Sequence, residues 1–355
     1  MLTFEPSPER FVVEEIPAYE PCGAGEHTFL WIEKRGLTTP DAIRRLAARL
    51  AVDPRDVGYA GLKDRHAVTR QWVSVPRADD ARAAEIADPD LRVLRAVRHG
   101  NKLRVGHLRG NRFEVVLTGP APEIANATAD ADADSEESKL RMRLRALAAA
   151  GIPNRFGEQR FGAGGDNAAA GLAILRGTRR ERDHRRRQLL LSAAQAAVFN
   201  RALDLREASG GLLRVRAGDV LQKVTSGGLF ITEDAAADQS RVDAGELCPT
   251  GPLPGGRERE PPPGTEARAL EDEAIGAIGA TREDFARAGR HLPGARRPVV
   301  VPVTLGEPPL ALEPAPPGTT AMRVRFLLPA GSYATVVVTR LTVDERQSVL
   351  SSRDP

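Results

Sequence analysis

The chain has 355 residues, of which 41% are hydrophobic and 28% are charged, so it is long enough for two domains that each bury a core. Its two cysteines, Cys22 and Cys248, are too few for a disulfide framework, and no apolar run approaches the roughly 20 residues that span a bilayer. The N-terminus lacks the basic region and the apolar core of a signal peptide. We therefore expect a protein of the reducing cytoplasm with no membrane segment.

Basic residues are concentrated in two stretches, although the net charge is only +3. Residues 92–112 contain seven basic side chains and no acid, and residues 176–187 contain seven arginines against two acids. An acidic run lies between them at residues 130–137. Basic stretches can hold a polyanion by displacing its counterions, but they also form solvated faces in Arg-rich proteins. Charge alone therefore leaves nucleic-acid binding and a solvated surface equally open.

In chain order, the first hundred residues combine strand patterns with a helix. Residues 11–16, 28–32 and 71–75 have the β-branched and aromatic composition of strands. Residues 38–41 predict a helix start, because Thr39 can cap the first turn.

A hairpin is predicted within residues 103–117. Apolar side chains alternate on both sides of Gly110 and Asn111, a pair that is typical of tight turns. We therefore predict an antiparallel sheet with helices on one side.

The rest of the chain predicts further helices and short strands. Proline, glycine and acidic residues indicate loops, and apolar periodicity indicates helices. The predicted segments are a loop at 119–137, helices at 138–150 and 188–207, short strands within 211–231, a mobile loop at 249–264, and a strand at 322–328 that turns at 329–331.

Asp64 is the first candidate for chemistry. It lies between Lys63 and Arg65 in a stretch where Gly58 and Gly61 allow close backbone approach. Nearby positive charge favours the ionised form of a carboxyl group, and an ionised carboxylate can be a covalent nucleophile. The residues by themselves favour a structural ion pair over this role, because most such triplets are surface charge.

Asn111 and Phe113 form a second candidate site. The amide can donate and accept at the edge of a uracil, and the ring can stack on a base, which is worth roughly 1–3 kcal/mol. Spacing alone favours the simpler interpretation, in which Asn111 makes a turn and Phe113 belongs to the core. His27 and His66 lack the spacing of metal ligands, so no metal site is expected, and a metal hydrolase is a weak alternative.

Eight segments occur together and in order as they do in the TruD family of tRNA pseudouridine synthases, which this chain resembles over nearly its whole length. The central segment is Gly-Tyr-Ala-Gly-Leu-Lys-Asp-Arg-His-Ala-Val-Thr at residues 58–69. The others lie at residues 11–15, 25–27, 98–104, 110–113, 153–162, 191–200 and 328–335.

The resemblance implies an α+β fold. A pseudouridine synthase catalytic domain, with a bent antiparallel sheet and helices, would comprise residues 1–150 and be completed by 302–355. An inserted α/β domain peculiar to the family, the TRUD domain, would comprise residues 151–301. The implied molecule is V-shaped, with a basic cleft for RNA.

The resemblance also assigns roles to single residues. Asp64 matches the catalytic aspartate, and Lys63 its basic neighbour. Four positions match the pocket of the substrate base, namely Phe11, Asn111, Phe113 and Tyr333.

The implied reaction isomerises uridine to pseudouridine, with tRNA as the partner and the uridine at position thirteen of the tRNA, in the D-arm, as the target. It needs no metal or other cofactor, and no obligate protein partner is implied. A protein of the same fold that binds RNA without catalysis is the alternative from another class. Lys63 or Arg65 is expected to hold the carboxylate of Asp64 ionised and oriented.

Overall fold

A computed structural model describes residues 2–121, 135–162 and 164–342. The chain divides into two compact units, Met1–Ala150 with Pro302–Pro355, and Gly151–Val301. Among the described residues, no helix has the length and apolar character to cross a membrane. Most of the loop predicted at 119–137 lies outside the described residues.

The described chain contains both strands and helices. In order, the strands are β1 (Phe11–Pro17), β2 (His27–Arg35), β3 (Gly58–Tyr59), β4 (Val68–Pro76), β5 (Ala87–Asp88), β6 (Leu91–His99), β7 (Leu108–Pro120), β8 (Ile152–Pro153), β9 (Val220–Lys223), β10 (Leu229–Ile231), β11 (Leu247–Leu253), β12 (Ala295–Pro298), β13 (Val300–Val301), β14 (Thr304–Glu313) and β15 (Thr319–Pro329). The α-helices are α1 (Thr39–Leu50), α2 (Asp80–Ala84), α3 (Glu136–Ala150), α4 (Asn167–Leu175), α5 (His184–Ala208), α6 (Ala235–Asp243), α7 (Glu266–Ala277), α8 (Arg282–Ala286) and α9 (Ala334–Thr342).

A nine-stranded sheet forms the centre of the first unit. Its strands follow the order β14-β15-β7-β1-β4-β2-β6-β5, with β3 paired to β4. All pairs are antiparallel except β1 and β4, so the sheet is mixed rather than wholly antiparallel. Helices combined with this sheet confirm the predicted α+β class.

Helix α1 covers one face of this sheet. Its apolar stripe, which includes Leu46, packs on Leu30 of β2 and Val73 of β4. The helix is capped by Thr38, whose side chain accepts from the backbone N–H of Asp41 in a capping box. The predicted cap, Thr39, is the first helical residue instead, and its buried hydroxyl binds elsewhere.

Gly110 and Asn111 lie inside β7 and not in a hairpin turn, so the predicted turn is wrong. Residue 110 pairs with Pro329 and residue 111 with Leu328 of β15. A Cβ at position 110 would stand 2.2 Å from the carbonyl oxygen of Leu328. The glycine therefore permits close approach of two strands that are distant in the sequence.

The second unit packs helices around a small sheet. Its four-stranded sheet has the order β10-β9-β11-β12, and β8 pairs with β13. The 25-residue helix α5 contributes Leu191 and Val198 to the core that it forms with α4, α7 and α8. The prediction of a mobile loop at 249–264 is wrong for its first residues. Leu247–Leu253 is a strand that pairs with β9 on one side and β12 on the other.

Candidate active site

Asp64 lies on the loop that joins β3 to β4. Its side chain is exposed and forms no ion pair within the described part of the chain, as is also true of Arg65. The two residues that precede it differ sharply, because Leu62 is 67% exposed whereas Lys63 is 8% exposed. The loop thus presents the carboxylate outward while it sends the preceding side chain into the protein.

Buried polar side chains hold the backbone of this loop. The amide of Gln71 donates to the carbonyl oxygen of Gly61 at 3.0 Å. The hydroxyl of Thr39 accepts from the backbone N–H of Lys63 at 2.9 Å and donates to Gln71 at 2.9 Å. Because buried hydrogen bonds are costly to break, they give the Asp64 loop a defined path.

Lys63 reaches across to β1 and does not hold the carboxylate of Asp64. Its ammonium lies 2.8 Å from Glu15, and the two side chains are only 3% and 1% exposed. Burial raises the pKa of Glu15, and the positive charge of Lys63 opposes that rise. Of the two cations expected to orient Asp64, Lys63 is therefore engaged by Glu15 instead, and Arg65 forms no ion pair with a described residue.

This ion pair brings the Asp64 loop beside Asn111. Glu15 of β1 is the direct cross-strand partner of Asn111 on β7, so the two side chains lie on one face of the sheet. The amide oxygen of Asn111 is buried and has no hydrogen-bond partner among the described residues. A buried acceptor without a partner is unusual and calls for an explanation.

Phe11 and Phe113 belong to a row of aromatic rings across the same face. Phe113 is 5% exposed, and its ring stacks with Phe11 at 6.3 Å and with Phe326 at 5.3 Å between centroids. The neighbouring strands β1 and β15 place these two rings on either side of it. Both rings named from sequence therefore pack in the core, and neither offers an open face to a base.

Tyr333 follows the turn after β15 and directly precedes α9. It is half-buried, and the hydroxyl of its neighbour Ser332 is buried with no partner among the described residues. The turn begins next to Asn111, because β15 pairs Leu328 with that residue and Ala330 bonds to the carbonyl oxygen of Arg109. Tyr333 is thus close in the fold to the strand that carries Asn111.

Sequence reasoning missed four residues that build the site, namely Glu15, Lys34, Thr39 and Gln71. A signal for two of them was present. Side chains two residues apart on a strand point to the same side of the sheet. Glu15 comes two residues after Val13, and Lys34 two residues after Ile32, so each charged side chain points to the buried side, where an apolar residue is usual.

Exposed cations lie on the segment between β6 and β7 and at the start of β7. Arg104 and Arg109 are exposed and form no ion pair with a described residue, whereas Arg92, Arg98 and Arg112 pair with acids. Gly106 bonds to the carbonyl oxygen of Ala60, which brings the segment of Arg104 against the Asp64 loop.

No group of three or more His, Cys, Asp or Glu side chains that could hold a metal ion occurs among the described residues. His66 lies exposed on the Asp64 loop. His27 lies on β2, and burial lowers its pKa.

Comparison with known proteins gives one consistent family. The model of the family described as tRNA pseudouridine synthase D (TruD) matches residues 3–182 and 180–341. The chain is 45% identical over 342 residues to a tRNA pseudouridine synthase D of Anaeromyxobacter dehalogenans, covering 95% of the chain and 91% of the relative. It is 40% identical over 329 residues to one of Thermus thermophilus, covering 92% and 85%.

A solved structure agrees with the fold. The crystal structure of a protein described as a putative tRNA pseudouridine synthase D, from Methanosarcina mazei, matches with a TM-score of 0.69 at 22% identity, covering 95% of this chain and 92% of that one. This likeness supports the fold alone. The chain belongs to the TruD family of tRNA pseudouridine synthases, so the family predicted from the eight segments is confirmed, and so is the isomerase class.

Proposed function

We propose that Asp64 is the nucleophile with which this pseudouridine synthase isomerises the uridine at position thirteen of tRNA, which lies in the D-arm. Membership of the family supports the activity on tRNA. One observation carries the role of Asp64: its carboxylate is exposed and unpaired within the described chain, while buried hydrogen bonds fix the backbone beneath it. A free acid on a fixed loop is what a nucleophile requires.

The reaction rearranges bonds within one nucleoside. The C1′–N1 bond breaks, the uracil turns, and a C1′–C5 bond forms. C5 gives its proton to solvent and N1 gains one, so atoms and electrons balance without an acceptor. In one route an oxygen of Asp64 bonds to C1′ as N1 leaves, and C5 then displaces it. In the other, Asp64 removes the C2′ proton as N1 leaves, which gives a glycal with a C1′–C2′ double bond, and it returns the proton to C2′ as C5 bonds to C1′. A primary deuterium isotope effect at C2′ belongs only to this second route.

The base must leave its stack to reach Asp64, which costs a few kcal/mol. The buried amide oxygen of Asn111 would accept the N3–H of uracil and offset part of that cost. Tyr333 would stack on the base from the turn after β15. Phe11 and Phe113 would support the pocket from the core, and Lys63 would support it through Glu15.

The substitution Asp64→Asn tests this proposal. The variant is expected to fold and to bind tRNA with an unchanged Kd, but to release no tritium from C5-labelled uridine. Asp56→Asn is the matched control. Asp56 is also an exposed aspartate of the first unit, and it lies between α1 and β3, shortly before the Asp64 loop. That control should release tritium at the normal rate.

Full tritium release by Asp64→Asn would end the proposal. Wild-type protein that binds tRNA tightly but releases no tritium would favour an RNA-binding protein that has lost catalysis. Mapping pseudouridine in tRNA from cells with and without the gene would test the position. The predictions of a cytoplasmic location and of no obligate protein partner remain predictions.

A further inference from the structure

Lys34 is a buried cation with no carboxylate partner among the described residues. It lies on β2, where its side chain points to the same buried side of the sheet as those of Leu30 and Ile32, and it has no exposed surface. Burying an ammonium group costs several kcal/mol unless its donors are satisfied. An apolar residue at this position would avoid that cost, so the lysine needs an explanation.

The contacts of its ammonium point to the Asp64 loop. Nζ donates to the carbonyl oxygens of Leu37 at 2.6 Å, Asp64 at 2.9 Å and Lys63 at 3.4 Å. Three acceptors match the three donors of an ammonium group. Two of the three belong to the loop, and one of these is the peptide of Asp64 itself.

Charge couples the same two residues. Burial lowers the pKa of Lys34 to about 8, and the negative charge of Asp64 is the largest influence that opposes this. Lys63 lowers the pKa further, and Asp41 of α1 raises it.

No other charge faces Lys34 from its flanking strands. Its direct partners there are Thr69 on β4 and Leu91 on β6, and neither carries a charge.

We propose that Lys34 is a positioning residue for the reaction, whose protonated ammonium anchors the peptide of Asp64 from below and sets where its carboxylate stands. This rests on the proposed role of Asp64. The protonated form is required because a neutral amine has two donors for three carbonyl groups, which leaves one buried acceptor unsatisfied. Loss of the anchor would move the carboxylate, and a displacement of about 1 Å at a reacting group can cost about 100-fold in rate.

The experiment compares Lys34→Met, which is unbranched and one atom shorter and loses every donor, with Lys34→Arg, which keeps the charge. Lys223→Met is the control, because Lys223 is exposed and lies in the second unit. Tritium release is measured at saturating tRNA, together with Kd for tRNA and the thermal unfolding midpoint. We expect Lys34→Met to lower kcat about 100-fold with little change in Kd, Lys34→Arg to recover part of the loss, and Lys223→Met to match wild type.

The pH profile supplies a readout that a merely structural lysine would not move. The kcat of wild type should fall as pH rises through about 8, as Lys34 loses its proton, and this fall should be absent in Lys34→Arg.

A wild-type kcat that stays level from about pH 7 to about pH 9.5 would overturn the proposal even if Lys34→Met fails to fold. Normal kcat in a folded Lys34→Met, with only a lower unfolding midpoint, would also overturn it. If Asp64→Asn is inactive while Lys34→Met is fully active, this inference fails and the proposed function stands.

Discussion

At the scale of single residues, the site depends on charges placed where the fold buries apolar groups. Glu15 and Lys34 both occupy the inward phase of a strand, and Lys63 is buried although both of its neighbours are exposed. The sequence shows each charge but not its partner, because Glu15 and Lys63 are distant in the chain and meet through the pairing of β1 with β4. Asp64 itself could be predicted only from the whole surrounding motif.

The buried ion pair of Lys63 and Glu15 yields a prediction on stability. Lys63→Met should lower the free energy of unfolding by about 3–5 kcal/mol, because it leaves the carboxylate of Glu15 buried and unpaired. The double variant Lys63→Met/Glu15→Leu should recover much of this loss. Urea unfolding of the purified wild type, single variant and double variant would measure the loss of unfolding free energy and its recovery.

An exposed pair provides the comparison for that experiment. Arg141 and Glu137 face solvent on one helix and lie 2.6 Å apart, so Glu137→Gln should cost only about 0.5 kcal/mol. Equal losses from the exposed and the buried pair would show that burial does not govern the energy of the Lys63 contact.

At the scale of elements, local patterns identified several of the strands and helices but not the pairing of distant strands. The apolar periodicity of α5 predicted residues 188–207, within the observed His184–Ala208. By contrast, Gly110 and Asn111 have the local chemistry of a turn, and only the pairing with β15 explains why they stay extended. The same limitation hid the row of rings, because Phe11, Phe113 and Phe326 meet only when β1, β7 and β15 are adjacent.

Gly110 therefore yields a prediction at this scale. In Gly110→Ala the new methyl group would meet the carbonyl oxygen of Leu328, so β7 and β15 must separate beside Asn111. We expect a loss of about 2 kcal/mol or more in unfolding free energy and a lower kcat/KM for tRNA. Gly100→Ala is the control, because a Cβ there has no atom within 4 Å. Wild-type stability and kcat/KM in Gly110→Ala would contradict the strand packing described for β7.

At the scale of the whole molecule, the two basic stretches differ in how their charges are used. In residues 92–112 three arginines are engaged in ion pairs with acids on the sheet or on α2. In residues 176–187 the side chains of Arg179, Arg180 and Arg182 are exposed and form no ion pair with a described residue. Composition could locate both stretches, but it could not tell which charges are free to meet a phosphate backbone.

The free arginines of the second unit lead to a prediction about salt. The triple variant Arg179→Gln/Arg180→Gln/Arg182→Gln should weaken tRNA binding, because each lost phosphate contact reduces by about one the slope of log affinity against log salt concentration. The kcat at saturating tRNA should not change, because these residues are remote in sequence from the Asp64 loop and belong to the other unit. Filter binding across a series of salt concentrations would measure the slope.

The control for this prediction removes the same number of charges from α1. Arg44, Arg45 and Arg49 are also exposed arginines, but each already faces an aspartate. Changing all three to Gln should leave the salt slope near that of wild type, since these charges are neutralised within the protein and displace few counterions from RNA. If both triple variants lower the slope equally, net charge alone governs tRNA binding, and residues 179–182 form no specific contact with the phosphate backbone.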